Sequence, residues 1–215
     1  MQFVDAHCHL HFSRVARIVG SLLQNAKERG ITHFAVNATS PQDFALVCLL
    51  AQSDDSIIPF YGIHPYYIQE KTWEQDYAQL VSMKDKLHYM GEIGMDKTIA
   101  SRIPLAFQAS CFRKQVQLAV SLSIPFAVHC VRCIQDVYAV LEEEGPFTRP
   151  FLMHGYSGSA DYVSKFVELG AYFSISGYFL NLSPKRRRAM DDAIRKIPLD
   201  RLLFESDAPD MVRVK

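Results

Sequence analysis

The strongest constraint on this 215-residue chain is its regular alternation of short apolar runs with longer amphipathic stretches. The runs Phe3–Ala6, Thr32–Asn37, Ile57–Ile63, Tyr89–Ile93, Pro125–His129, Phe151–His154, Tyr172–Ser176 and Leu202–Ser206 predict strands. Between them, Val15–Arg29, Pro41–Ser53, Trp73–Lys86, Leu105–Leu122, Ile134–Glu143, Ala160–Leu169 and Pro184–Lys196 carry apolar residues at three-and-four spacing and predict helices. Ser40-Pro41 and Ser183-Pro184 place a capping residue before a proline suited to a first helical turn. Eight strands alternating with seven helices predict an α/β fold with a parallel sheet. Eight is the number that closes a (β/α)8 TIM-like barrel, here lacking its last helix. An open doubly wound sheet is the alternative, but no G-x-G-x-x-G follows a strand. No repeat or linker interrupts the pattern, so one barrel domain spanning residues 1–215 is expected.

The barrel rule sorts the histidines and acids, because active sites lie at the C-terminal ends of the strands. His7 and His9 close the first strand as H-x-H; alternate residues of a strand share a face, so both rings reach one point. Glu92 lies at the end of the fourth strand, His129 ends the fifth, His154 the sixth, and Asp207 follows the eighth. Any one alone is more often a hydrogen-bonded bystander. All six on one rim suit one or two divalent metal ions, such as zinc, magnesium or manganese, and two metals sharing a carboxylate accommodate six ligands. His64, at the end of the third strand, faces the same rim and is expected to touch substrate or a ligand. His33 and His88 fall at strand starts and are read as structural; His11 is read as a loop residue.

Composition excludes little. Lys plus Arg and Asp plus Glu each number 23, so a polyanionic partner must be sought in a local patch. The densest is Lys185-Arg186-Arg187-Arg188. Such a run is usually a solvated helix start, but a helix that follows a barrel strand begins at the catalytic rim. Arg186, Arg187 and Arg188 are therefore candidates for holding flanking phosphates. The five cysteines, including the pair Cys130 and Cys133, are read as reduced thiols. No leader and no apolar run near the roughly 20 residues of a membrane span are seen, so a cytoplasmic location with no membrane partner and no obligate protein partner is expected.

Several segments resemble the TatD-like metal-dependent hydrolases: Val4-Asp5-Ala6-His7-Cys8-His9-Leu10, Gly62-Ile63-His64-Pro65, Gly91-Glu92-Ile93-Gly94-Met95-Asp96, Pro125-Phe126-Ala127-Val128-His129-Cys130, His154-Gly155-Tyr156-Ser157-Gly158 and Phe204-Glu205-Ser206-Asp207-Ala208-Pro209. The resemblance implies a barrel of the metal-dependent amidohydrolase type, a one- or two-metal centre, and phosphodiester hydrolysis, commonly of DNA. Two departures stand out. Relatives often carry His-x-Arg after the fifth strand, whereas here the arginine is displaced by one, to Arg132. Relatives also continue past Asp-Ala-Pro into a final helix.

The expected mechanism is metal-activated water, with His7, His9, Glu92 and Asp207 around one metal and Glu92, His129 and His154 around the other. Asp207 is the expected general base, and Glu92 shares the catalytic role. Two readings compete: hydrolysis of an amide or lactone, and a barrel that binds metal or nucleic acid without catalysis. The first is disfavoured by Glu92 on the fourth strand, where dinuclear amide-hydrolysing relatives carry a modified lysine. Metal-dependent turnover of any ester dismisses the second.

Overall fold

In the computed structural model, which describes residues 2–211, the strands and helices alternate throughout. The strands are β1 (Phe3–Cys8), β2 (Ile31–Asn37), β3 (Ile57–Phe60), β4 (Met90–Asp96), β5 (Phe126–Val131), β6 (Phe151–Met153), β7 (Ala171–Ser176) and β8 (Leu202–Glu205). The helices are α1 (Val19–Glu28), α2 (Phe44–Ser53), α3 (Trp73–Ser82), α4 (Leu105–Leu122), α5 (Ile134–Glu144), α6 (Ala160–Glu168) and α7 (Pro184–Lys196).

All paired strands are parallel and lie in chain order, β1 to β3 and β4 to β8. Two seams close the ring. Tyr61, just past β3, bridges to Met90. At the other seam the Asp207 amide donates to the His7 carbonyl at 2.9 Å, and the His9 amide donates to the Ala208 carbonyl at 2.7 Å. The result is the expected barrel.

Alternation along the strands builds two cores. Ala6, Ala127 and Leu152, with Phe60 and Tyr172, form a small cluster in the barrel interior. The residues between them, such as Phe126, Val128, Phe151 and Met153, pack outward under the helices in the larger core. Two steps beyond Ala127 and Leu152 on the inward face come His129 and His154. Helix α4 shows how the outer layer is held: Cys111, Phe112, Gln115, Val116 and Ala119 form its buried stripe. It stops at Ser123, which takes a left-handed φ of 53°.

Three boundaries differ from the sequence pattern for physical reasons. Residues 12–18 form turns rather than the start of α1, because Phe12, Val15 and Ile18 each donate to the carbonyl three residues back. The Asp43 carboxylate accepts from the Thr39 amide at 3.1 Å and the Thr39 hydroxyl at 2.5 Å, holding Pro41–Asp43 as a separate 3₁₀ turn before α2. Strand β4 runs on to Asp96 because Gly94 pairs with His129 in the β4–β5 register. A side chain at Gly94, where φ is 147°, would collide with the His129 carbonyl, so glycine alone permits this approach.

Among the described residues, β1 to β7 are each followed by a covering helix. On the outside of the β8–β1 seam Phe3, Val4, Leu203 and Phe204 are exposed, Phe204 to 62%. Among the described residues no helix covers that patch.

Candidate metal centre

At the C-terminal rim the side chains of His7, His9, Glu92, His129, His154 and Asp207 converge, and all except the partly buried His129 are buried. The centre of the arrangement is Glu92. Its Oε2 lies 3.2 Å from Nε2 of both His7 and His9. Its Oε1 lies 2.6 Å from Nδ1 of His129, 2.7 Å from Nε2 of His154 and 3.4 Å from Nε2 of His64. Asp207 Oδ1 completes the first side, 3.5 Å from His9 Nε2 and 3.8 Å from His7 Nε2. One carboxylate thus divides two sets of imidazoles, one set per oxygen.

The outward ring nitrogens of His9 and His129 have partners that fix their tautomers. His9 Nδ1 donates to the Asn37 carbonyl at 2.8 Å, and His129 Nε2 faces Asp96 Oδ2 at 3.1 Å. His154 Nδ1 faces Glu205 Oε1 at 3.6 Å, and both it and His7 Nδ1 are buried without a hydrogen-bond partner. Protons on the outer nitrogens leave lone pairs on the inner ones. Those lone pairs crowd together: Nε2 of His7 and His9 are 3.3 Å apart, as are His129 Nδ1 and His154 Nε2. A buried group of acceptors facing acceptors fits a cation, and the triads His7–His9–Asp207, His7–Glu92–His154 and His64–Glu92–His129 each have ligand spacing.

Electrostatics agree. Burial alone raises a carboxyl, yet the field of His154, His64 and His7 and the hydrogen bond from His129 hold Glu92 well below the ordinary carboxylate range. Burial acts against a charged His9, but hydrogen bonds to Asp207 and Glu92 push it up to about 10. The same contest, against burial, raises His129 through Asp96 and Glu92, and raises His154 through Glu92 and Glu205. His7 moves the other way, because burial and the neighbouring His154 lower it. Protons hold the place in which divalent charge would sit.

His64 plays a different part. Its Nδ1 accepts the Tyr66 amide at 3.0 Å, and burial lowers its pKa to about 4, so the neutral ring turns Nε2–H toward Glu92 and His129. It lines the same cavity, whose volume is about 640 Å³. The three arginines behave otherwise. Helix α7 and the loop before it reach the cavity through Met190 and Leu182, whereas Arg186, Arg187 and Arg188 are not among its lining residues. Arg187 bends back to donate to the Leu180 carbonyl at 3.1 Å and sits 5.1 Å over the Phe179 ring. The three arginines thus lie outside the cavity lining, and any contact with phosphates would fall on groups flanking the centre. Arg132 is exposed and also outside the cavity lining.

Sequence reasoning missed Asp96 and Glu205 as partners of His129 and His154, although both lie inside the quoted motifs. His11 lies in the turn after β1, as expected, and is buried there, with Nε2 3.6 Å from Asp43. His33 and His88 are exposed and away from the centre. The five cysteines are free thiols, as expected.

Comparison with known proteins gives a consistent result. The family model described as TatD related DNase matches residues 4–215. A protein of Haemophilus influenzae named as an uncharacterized metal-dependent hydrolase is 29% identical over 221 residues, covering 98% of this chain and 82% of that protein. The metal-dependent hydrolase YjjV of Escherichia coli K12 is 30% identical, covering 98% and 80%. The crystal structure of YjjV matches with a TM-score of 0.85 over 97% of this chain and 80% of that one, at 28% identity. The human 3'-5' RNA nuclease TATDN2 is 25% identical over 96% of this chain, which corresponds to 28% of that protein.

Proposed function

The chain belongs to the TatD related DNase family of metal-dependent hydrolases, and from that premise we propose that it hydrolyses phosphodiester bonds of DNA. The observation that carries this reading is Glu92, whose two oxygens face separate imidazole sets. Such a carboxylate suits two cations a few ångströms apart, the arrangement that serves in-line displacement at phosphorus. His7, His9, Glu92 and Asp207 would hold one cation, and Glu92, His129 and His154 the other. The cations would supply the charge that acidifies water and polarises a phosphoryl oxygen.

The chain's own residues supply the rest. Asp207 is the proton acceptor for the attacking water: its carboxyl is held low, against burial, by the His9 hydrogen bond and the fields of His7 and His154. It is also fixed in place, at a left-handed φ of 49°, by its amide bond to the His7 carbonyl. His64, neutral, offers Nε2–H to the cavity, where it orients Glu92 and reaches a phosphoryl oxygen of bound substrate. Asp96 and Glu205 keep His129 and His154 turned inward.

A substrate panel on EDTA-stripped protein, with zinc, manganese or magnesium restored one at a time, tests the reading. DNA oligomers and methyl p-nitrophenyl phosphate are expected to be cleaved only with metal. Cleavage of amides or lactones with no phosphodiester turnover would contradict it.

A further inference from the structure

The six candidate ligands account for the floor of the cavity but not for its mouth. Three exposed tyrosines stand there. Tyr66 and Tyr67, in the loop after β3, are 43% and 47% exposed, and Tyr178, in the loop after β7, is 45% exposed; all line the cavity, and Tyr66 and Tyr178 are the pair anchored on opposite loops. In a closed ring of eight strands the third and seventh are four places apart, so these loops face each other across the rim.

Tyr66 is exposed yet held at three points. Its amide donates to His64 Nδ1 at 3.0 Å, its carbonyl accepts from Arg102 at 3.0 Å, and its hydroxyl lies 3.4 Å from Thr98 Oγ1. Its ring centroid is 4.9 Å from that of His64 and 6.3 Å from that of His129. An aromatic ring fixed in place beside the reacting centre gives up little freedom when a flat group settles on it. The Tyr178 amide faces the Ser176 hydroxyl at 3.3 Å, which anchors the opposite loop.

Charge at the mouth sharpens the point. Among the described residues lining the cavity, Arg14 is the one guanidinium or ammonium group, and it is paired with Asp210. Glu92, Asp96 and Asp207 add negative charge. Among the described lining residues no free lysine or arginine meets an entering polyanion, so outside the centre and His64 these side chains hold it through its bases or sugars.

We propose that Tyr66 and Tyr178 form a base-stacking clamp, which seats the nucleobases on either side of the scissile phosphate. The clamp rests on the phosphodiesterase reading and adds to it the feature recognised: unpaired bases, held by stacking, with backbone charge contributing little.

The test compares two labelled oligomers of equal length and charge on metal-restored protein, one of thymidines and one of abasic tetrahydrofuran residues. The abasic oligomer is expected to show a KM about tenfold higher at similar kcat. Tyr66→Ala is expected to raise the thymidine KM by about the same factor, and Tyr66→Phe, which keeps the ring, to restore it. The thymidine KM should depend on salt with a slope below that of a single phosphate contact, about 0.7. A readout independent of turnover is the thymine H6 proton resonance, expected to move upfield on binding to wild-type protein and not to Tyr66→Ala. Equal KM values for the two oligomers with wild-type protein, or an unmoved H6 resonance, would overturn the clamp even if Tyr66→Ala failed to fold. Failure of the wild type to cleave methyl p-nitrophenyl phosphate under any metal would instead overturn the phosphodiesterase reading on which the clamp rests.

Discussion

Two groups of strands meet at the rim and end in different chemistry. β1, β4, β5, β6 and β8 end in imidazoles and carboxylates crowded within hydrogen-bonding distance of Glu92 or of Asp207. β2, β3 and β7 end in Thr39, in His64 with Tyr66, and in Ser176 with Tyr178, all lining the same cavity. The donor strands form a floor suited to a cation, and the others form walls suited to a substrate. His64 is the hinge between them: it grows from a wall strand, yet its Nε2 reaches Glu92. The difference shows how one barrel can keep its chemistry fixed while recognition varies, because the two are carried by separate loops.

The largest effect that would break this division comes from the floor. Glu92→Gln replaces the carboxylate that both imidazole sets share. Loss of the charge stabilisation it organises, about 4 kcal/mol, is expected to lower kcat on methyl p-nitrophenyl phosphate by on the order of 10³. A fall of less than tenfold would show that the chemistry is not centred there.

Next in size is the response to pH. His9, raised to about 10, gains stability from its carboxylate partners. That contribution is fully present below the ordinary histidine value of 6.5 and is lost as pH rises through about 10. Metal-free protein should therefore lose thermal stability between pH 7 and 10. Metal-loaded protein should move the other way over the same range, since cations displace these protons and bind more tightly as pH rises. Calorimetry in buffers of different ionisation enthalpy should record proton release on metal binding. Two parallel melting curves would place the titrating protons elsewhere.

A smaller effect is expected one layer out. Asp96, whose carboxyl settles at about 2 because its hydrogen bonds from His129 and Thr98 outweigh burial, holds His129 turned inward. Asp96→Asn should weaken metal binding about 10- to 100-fold in a competition titration with a chelator. Glutamate at the same position should recover part of the loss.

The smallest effect belongs to the wall side. Replacing Arg186, Arg187 and Arg188 together with glutamine should change the salt dependence of DNA cleavage by less than one phosphate contact, about 0.7–0.9 in slope. A larger change would extend the recognition surface from the β7 loop onto α7.

Much of this was legible in the sequence, because apolar period and strand order are local signals. Phe126, Val128 and His129, or Phe151, Met153 and His154, place each histidine at a strand end by alternation alone. The six candidate ligands were readable for the same reason. What escaped depends on contacts between distant segments. Asp96 and Glu205 resemble any acid at a strand end until His129 and His154 are seen against them. His11 is a turn residue, as expected, but its burial against Asp43 comes from a contact that only the fold makes. The course of the arginine side chains was not legible either, because helix position is local, whereas where they point is set by packing such as that of Arg187 on Phe179.

The central proposal is that Glu92 would be shared by two cations, one held by each imidazole set. Manganese titration of EDTA-stripped protein, followed by electron paramagnetic resonance, tests it most directly. The account predicts saturation at two ions per chain, with a spin-coupled signal that collapses in Glu92→Gln. Saturation at one ion, or two ions that keep the separate six-line spectra of isolated manganese, would contradict it.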